Sequence, residues 1–329
     1  MRLMITGGTG FVGSRLAIRA RELGHEVRAT GMRNTAAEAA NGEQLAHMGI
    51  HVLLLPIGEL ARAPDALKGV DAVIHLAAAQ HEANVPDEYF RDVNVRGTEA
   101  LLEASRGVGV KRFVYGSTIG VYGDREGLID ESTPTLPDNI YGATKLEAER
   151  LVLARSADLH VVVVRISEVY GPGDRRLLKL FRAIRRHRFF NVGAGTNLHH
   201  PIYIDDLTQG LLLAAAPDSA ESGEVFVLPG KEVVTTDAMV AAIAAAVGTQ
   251  VPRLRLPLWP ILGGAVLLEG ALRPLGIQPP LHRRRVDFFR KSFSFDGSKA
   301  AELLGFAAQV GFAEGTLRAA RWYEEIGEL

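Results

Sequence analysis

The sequence predicts an α/β fold, a doubly wound parallel sheet with a smaller C-terminal lobe, from three observations. Through the first half of the chain, strand-like and helix-like runs alternate, the pattern of a parallel sheet covered on both faces. A glycine-rich turn, Thr6 to Gly13 (TGGTGFVG), joins the apolar run Leu3-Met4-Ile5 to the helix-like Ser14-Arg15-Leu16-Ala17-Ile18. The run Val161-Val162-Val163-Val164 is continuously apolar, as a central strand buried on both faces must be.

The strands follow in order as Arg2 to Thr6, Glu26 to Thr30, His51 to Leu55, Ala72 to Leu76, Arg112 to Gly116 and His160 to Ile166. Between them, Asn94 to Arg106 and Tyr141 to Arg155 read as long helices placed side by side on one face of the sheet. After Gly171-Pro172-Gly173 the pattern changes. Arg175 to Phe190 reads as a basic amphipathic helix, followed by a loop rich in Gly and His, a short strand Ile202 to Ile204, and a helix opened by Asp205-Asp206. Glu224 to Leu228 supplies one more sheet strand, and the chain ends in an amphipathic helix containing Trp322.

Composition narrows the function classes. The chain has 329 residues, 47% of them apolar, which is ample for a buried core, and a net charge of -1 argues against electrostatic nucleic-acid binding. Without any cysteine there is no disulfide framework and no thiolate metal site or nucleophile. The N-terminus enters a strand directly with no secretory pattern, so a cytoplasmic location is the default expectation. The longest apolar stretch, Leu254 to Gly276, is broken by Pro257, Pro260 and Pro274 and charged by Glu269 and Arg273. It falls short of a membrane span and reads as a buried or cleft-lining helix rather than a membrane-surface element.

The glycine turn carries the first chemistry. Gly7 permits the tight turn, Gly10 lets backbone approach a pyrophosphate, and Gly13 lets helix and strand pack closely, with phosphates at the helix N-terminus. The turn therefore implies a dinucleotide. A second constellation is Tyr141-Gly142-Ala143-Thr144-Lys145, preceded by Gly116-Ser117-Thr118 at a strand end. Tyr141 and Lys145 lie four apart and share a helix face. An ammonium beside a phenol favours the phenolate, so Tyr141 can take a proton from a hydroxyl or return one to a carbonyl while hydride moves to or from a nicotinamide. Thr118 can bond the same substrate oxygen.

These residues, with HLAA at His75 to Ala78, VNVRGT at Val93 to Thr98, YGSTIGVYG at Tyr115 to Gly123, VYGPGD at Val169 to Asp174 and FDGSKAAELLGF at Phe295 to Phe306, resemble an extended short-chain dehydrogenase/reductase of the NAD-dependent epimerase/dehydratase type. The resemblance implies a Rossmann-fold nucleotide domain over residues 1–166, completed by about 199–232, with residues 167–198 and 233–329 forming the substrate-binding lobe. It implies Tyr141, Lys145 and Thr118 as the catalytic set, with Ser117 a neighbour. Cofactor contacts fall on Gly7, Gly10, Phe11, Val12, Gly13, Leu76, Ala77, Ala78, Asn94, Tyr141 and Lys145. Asn94 ties backbone groups near the site or merely caps and packs. Ser117, Thr118, His81 and Glu168 border the substrate. Relatives often pair through the two long helices, which implies a homodimer.

The choice between NAD and NADP stays open. The second strand ends Ala29-Thr30-Gly31-Met32-Arg33 with no acid for a ribose hydroxyl, and Arg33 can face a 2'-phosphate or simply be solvated. The expected substrate is a secondary alcohol or ketone of a nucleotide sugar, whose diphosphate Arg175, Arg176, Arg283, Arg284 and Arg285 can meet, unless they form only a solvated basic face. Glu168 and the run Asn197-Leu198-His199-His200 depart from the nucleotide-sugar pattern. With the apolar stretch and PPLHRRR at Pro279 to Arg285, they resemble branches related to 3-beta-hydroxysteroid dehydrogenases, which act on bulky hydrophobic alcohols or ketones. A non-catalytic dinucleotide sensor is the remaining alternative, and the acid/base pair speaks against it. No metal is expected, since His199-His200 has no third ligand at suitable spacing.

Overall fold

Seven parallel strands form one sheet, in the order Glu224–Leu228, His160–Ile166, Arg112–Thr118, Ala72–His75, Arg2–Thr6, Glu26–Thr30 and His51–Leu53. The computed structural model describes residues 1–80, 85–272 and 286–329. The first half of the chain comprises β1 (Arg2–Thr6), α1 (Phe11–Glu22), β2 (Glu26–Thr30), α2 (Ala36–His47), β3 (His51–Leu53), α3 (Ile57–Arg62), β4 (Ala72–His75), α4 (Asp87–Arg91), α5 (Gly97–Gly107), β5 (Arg112–Thr118), β6 (Leu128–Ile129), α6 (Ile140–Leu153) and β7 (His160–Ile166). Next come β8 (Val169–Tyr170), α7 (Leu178–Arg185), β9 (Asn191–Val192), β10 (Leu198–His199), β11 (Ile202–Tyr203), α8 (Ile204–Ala215), β12 (Glu224–Leu228), β13 (Val234–Thr235) and α9 (Thr236–Ala246). The chain closes with β14 (Arg255–Leu256), α10 (Leu258–Leu272), β15 (Ser294–Phe295), α11 (Ser298–Leu304) and α12 (Phe312–Glu325).

The pleat of the strands explains the two layers. On β7, Val162 and Val164 enter one core with Leu16 and Ala17 of α1 and Leu207 and Leu211 of α8. Val161 and Val163 enter the opposite core with Leu101 and Leu102 of α5 and Ala148 and Val152 of α6. A strand apolar at every position is thus buried on both faces, as the valine run predicts. The order reverses between β4 and β1, so the carboxyl ends of these two strands flank the crevice in which such sheets bind ligands.

Several predicted elements have different lengths. The basic helix shortens to α7, because the chain turns at His187 in a left-handed conformation (φ 53°) and Arg188 N–H returns to the Ala183 carbonyl. β5 runs on to Thr118. The long helix predicted from Asn94 begins earlier, as α4 passes through a wide π turn, Asp92–Arg96, into α5. α2, which periodicity does not show, is set by a capping box in which Thr35 and Glu38 satisfy each other's backbone N–H. β9 pairs with β14 and β10 with β13, tying the later segments together. Among the described residues, no helix is long and apolar enough to cross a membrane.

Candidate active site at the carboxyl end of the sheet

The glycine turn leaves β1 at Thr6 and enters α1 at Gly10. No side chain caps α1 and no acid lies in its first turn, so the N–H groups of Phe11, Val12 and Gly13 present an unfilled, positively polarised helix end. A Cβ at Gly13 would stand 2.2 Å from the Gly7 carbonyl, which explains the close seating of α1 on the turn. These features fit a dinucleotide pyrophosphate.

A chain of buried hydrogen bonds links this turn to the predicted acid/base helix. Thr6 Oγ1 accepts the N–H of Leu76 and of Ala77, each at 3.2 Å, and lies 2.6 Å from His75 Nδ1. His75 Nε2 lies 2.9 Å from Thr98 Oγ1, whose own proton goes to the Asn94 carbonyl at 2.7 Å. Since the Thr98 proton is committed, His75 donates from Nε2 and accepts from Thr6 at Nδ1, which fixes a neutral tautomer. Burial agrees, pulling the imidazole down to about 3 with the Lys145 charge adding to it.

Asn94 is fully buried in the π turn. Its side chain clamps Ala79, accepting the N–H at 2.8 Å and donating to the carbonyl at 3.0 Å, and reaches Thr144 Oγ1 at 3.0 Å. Thr144 in turn donates to backbone at Ile140 (2.9 Å) and Tyr141 (3.1 Å). The asparagine therefore holds the strand-end backbone against α6, the tying role the sequence offers it.

α6 starts just before Tyr141 because Asn139 caps it, accepting the Gly142 N–H at 3.0 Å. Tyr141 is half-buried in the first turn, and Lys145 follows one turn on, only 2% exposed. The Lys145 ammonium lies 4.0 Å above the centre of the Tyr115 ring. Burial pulls its pKa down to about 7, with the Glu149 carboxylate one further turn along opposing that fall. Thr118 ends β5, half-buried, its hydroxyl accepting Gly120 N–H at 3.1 Å. Gly142 lies against Gly120, where a Cβ would come 2.5 Å from the Gly120 carbonyl, so the first turn of α6 sits directly on the turn after Thr118.

Ser117 faces the other way. It is 3% exposed and donates to Glu149 at 2.8 Å. Glu149 also receives Arg165 Nη2 at 2.5 Å and Nε at 3.3 Å, and Arg165 donates to the Tyr122 hydroxyl at 2.8 Å. The buried network joins β5, α6 and β7 behind Lys145. His75, Thr98, Thr144, Glu149 and Arg165 are the site-supporting residues that sequence reasoning leaves unassigned, although His75, Thr98 and Thr144 lie inside the motifs HLAA, VNVRGT and YGATK.

The predicted substrate-side residues divide. His81 and the stretch Pro279 to Arg285, with Arg283, Arg284 and Arg285, lie outside the described residues. Glu168 is half-buried, and both its oxygens lie 3.2 Å from His199 Nδ1. His199 Nε2 meets Thr236 Oγ1 at 3.0 Å, while His200 donates to the Gly230 carbonyl at 3.0 Å and accepts Phe295 N–H at 3.1 Å. Of the arginines read as diphosphate ligands, Arg175 pairs with Glu328 at 3.1 Å and Arg176 with Asp174 at 3.0 Å.

At the end of β2, Gly31 packs on Thr9: a Cβ would lie 2.1 Å from Thr9 Oγ1, which accepts Met32 N–H at 3.0 Å. Any side chain at that position would have to displace Thr9. Arg33, two residues on, is exposed.

The model of the NAD dependent epimerase/dehydratase family matches residues 3–228. The chain belongs to that family. Among its relatives, a 4-hydroxy-2-methyl-3-oxo-4-farnesyl-3,4-dihydroquinoline-1-oxide ketoreductase of Stigmatella aurantiaca is 31% identical over 323 residues, 96% of this chain and 94% of the relative. A 3 beta-hydroxysteroid dehydrogenase/Delta 5-->4-isomerase of Mycobacterium tuberculosis is 31% identical over 272 residues, 78% of this chain and 72% of the relative. Among solved structures, a DesIV double mutant (dTDP-glucose 4,6-dehydratase) from Streptomyces venezuelae with NAD bound is 26% identical with a TM-score of 0.79, covering 99% of this chain and 97% of the other. This epimerase/dehydratase-family chain is accordingly an NAD(P)-dependent enzyme acting on CH–OH groups, with the Rossmann fold the sequence predicts.

Proposed function

We propose that Tyr141 is the acid/base of a hydride transfer at a secondary alcohol or ketone, with Lys145 and Thr118 as its partners. The carrying observation is the seating of Tyr141 and Lys145, one turn apart at the start of α6, on the turn that follows Thr118. The bound nicotinamide would supply the hydride acceptor or donor, held at the α1 N-terminus and along Leu76, Ala77 and Ala78. Tyr141 takes the carbinol proton in oxidation and returns one to the carbonyl oxygen in reduction. Lys145 lends positive charge near the phenol, and Thr118 holds the substrate oxygen by a hydrogen bond.

A nucleotide sugar is the first substrate reading, supported by the solved dTDP-glucose dehydratase of the same fold. A bulky hydrophobic alcohol or ketone is the second. It is favoured by a specific observation: the two described arginines offered to a diphosphate are already paired with Glu328 and Asp174. Its relatives among ketoreductases and hydroxysteroid dehydrogenases add support. Either NAD or NADP serves the chemistry, and the lack of an acid at Gly31 together with exposed Arg33 favours NADP. We further propose a cytoplasmic homodimer paired through α5 and α6.

The test is a substrate screen with both cofactors against UDP- and dTDP-sugars and against apolar secondary alcohols and ketones, following absorbance of the reduced nicotinamide and, for sugars, epimer formation by NMR. Turnover of the apolar set alone selects the second reading. Absence of turnover with wild-type protein, together with tight dinucleotide binding, would return the sensor alternative.

A further inference from the structure

α10 is apolar on the side it turns to water. Trp259, Gly263, Val266, Leu267 and Gly270 recur at the spacing of one helical face, and all five are exposed, Trp259 at 76% and Leu267 at 75%. From Leu258 to Leu268 the helix has no charged side chain. The sequence expectation of a buried or cleft-lining helix is therefore half met. Ala265 is buried against the protein, while the opposite stripe is open. Glu269 is the one charged residue of α10, and at 15 residues the helix is too short to span a membrane, although an apolar stripe of this kind can lie in its surface.

The surface next to the start of α10 is cationic. β14 leads into α10 after one residue and pairs with β9, with Asn191 N–H bonded to the Leu254 carbonyl at 2.8 Å and Asn191 Nδ2 to the Pro252 carbonyl at 2.9 Å. Carried back along the two segments, that register sets Phe190 by Leu254, with Arg188 and Arg253 in the residues just before them. Phe190 is 39% exposed and Leu254 61%. Nearby, Asp237 pairs with Arg255 at 2.7 Å and Glu324 with Arg185 at 3.6 Å. Arg186, Arg188 and Arg253 are exposed and have no ion pair to any described residue.

We infer that the exposed stripe of α10, together with the exposed Arg186, Arg188 and Arg253 on the segments that lead into β9 and β14, docks on an anionic phospholipid surface. An apolar stripe lying in the headgroup plane, with a tryptophan at one end and unpaired arginines alongside, combines burial of apolar area with attraction to negative lipid. The unpaired cations argue against a second copy as the occupant, because a two-fold contact of this face with itself brings like charges together. The inference stands apart from both substrate readings, and its failure leaves the chemistry at Tyr141 untouched.

Vesicle flotation of the full chain tests it, with phosphatidylcholine vesicles made with and without phosphatidylglycerol, at low and high salt. Expected are binding that needs phosphatidylglycerol, weakening with salt, and a blue shift of tryptophan emission on binding. Neutralising Arg186, Arg188 and Arg253 to Gln should weaken binding about a hundredfold, at roughly fivefold per arginine. Trp259→Ser with Leu267→Ser should abolish it, with dinucleotide binding and thermal melting unchanged to show that the variants fold. Absence of binding, or binding indifferent to both sets of substitutions, overturns the inference. A dimer in light scattering that Trp259→Ser with Leu267→Ser dissolves, while vesicles stay unbound, assigns the face to a second copy and also overturns it.

Discussion

Replacing Lys145 by methionine should change how stability depends on pH. The Lys145 side chain is 2% exposed and lies over the Tyr115 ring, and burial carries its pKa from 10.5 to about 7. Below pH 7 the folded and unfolded chains both hold the proton, so the buried ammonium imposes its full desolvation cost. Between about 7 and 10.5 the folded chain releases a proton that the unfolded chain keeps, and wild-type stability climbs with pH through that window. At about 1.4 kcal/mol per pH unit, the whole climb is on the order of 5 kcal/mol. Lys145→Met lacks the titrating group and lacks the climb. Urea unfolding of both proteins, followed by circular dichroism from slightly acidic to strongly basic pH, isolates it as a difference in which the other titrating groups cancel. A stability difference that stays constant over the window would refute the burial argument. Turnover by the variant should be lost throughout.

Glu149→Gln removes the carboxylate that faces Arg165 inside the protein and should cost about 3–5 kcal/mol in chemical denaturation, because it leaves a buried cation unpaired. Adding Arg165→Met should recover a large part of that loss. In the single variant the Lys145 pKa should fall further, moving the basic limb of the kcat/KM profile to lower pH. His75 is held neutral down to about pH 3, so wild-type stability should be lost progressively as pH falls from 6.5 towards that value while the unfolded imidazole takes up its proton. His75→Phe should remove this part of the acid slope and be less stable near neutral pH by about 1–3 kcal/mol, because the buried Thr6 hydroxyl loses its acceptor, as acid and urea titrations read out. Arg33→Ala should weaken NADPH binding by roughly tenfold to a hundredfold, the range for a lost hydrogen bond to a charged group, and leave NADH affinity unchanged in fluorescence titration.

The main sheet was legible because its signals are local. Arg2–Thr6, Glu26–Thr30, His160–Ile166 and Glu224–Leu228 are strands at the residues where apolar runs place them. The placement of the three residues proposed to do the chemistry was legible for the same reason: Tyr141 and Lys145 are spaced by one helical turn, and Thr118 sits at a strand end. What local patterning could not show is the wiring between elements. His75 donates to Thr98, 23 residues away, and Ser117 turns inward to Glu149, 32 residues away. Partners so far apart are set by the register of β4, β5 and α6, which no window of the sequence contains. The π turn around Asn94 also leaves no periodic trace, since its extra residue is absorbed within a continuous helix. On α10 the sequence showed an apolar helix but not which side meets water, a matter of packing rather than of composition.

The most direct test of the account is hydride exchange by Tyr141→Phe. The phenyl ring keeps the packing of the first turn of α6 and removes only the hydroxyl proposed to move the proton. With a substrate found in the screen, the variant should bind dinucleotide with wild-type affinity and show turnover reduced by about a hundredfold or more, the usual worth of a positioned acid/base. Wild-type turnover in Tyr141→Phe would contradict the assignment of Tyr141 as the group that exchanges a proton with the substrate.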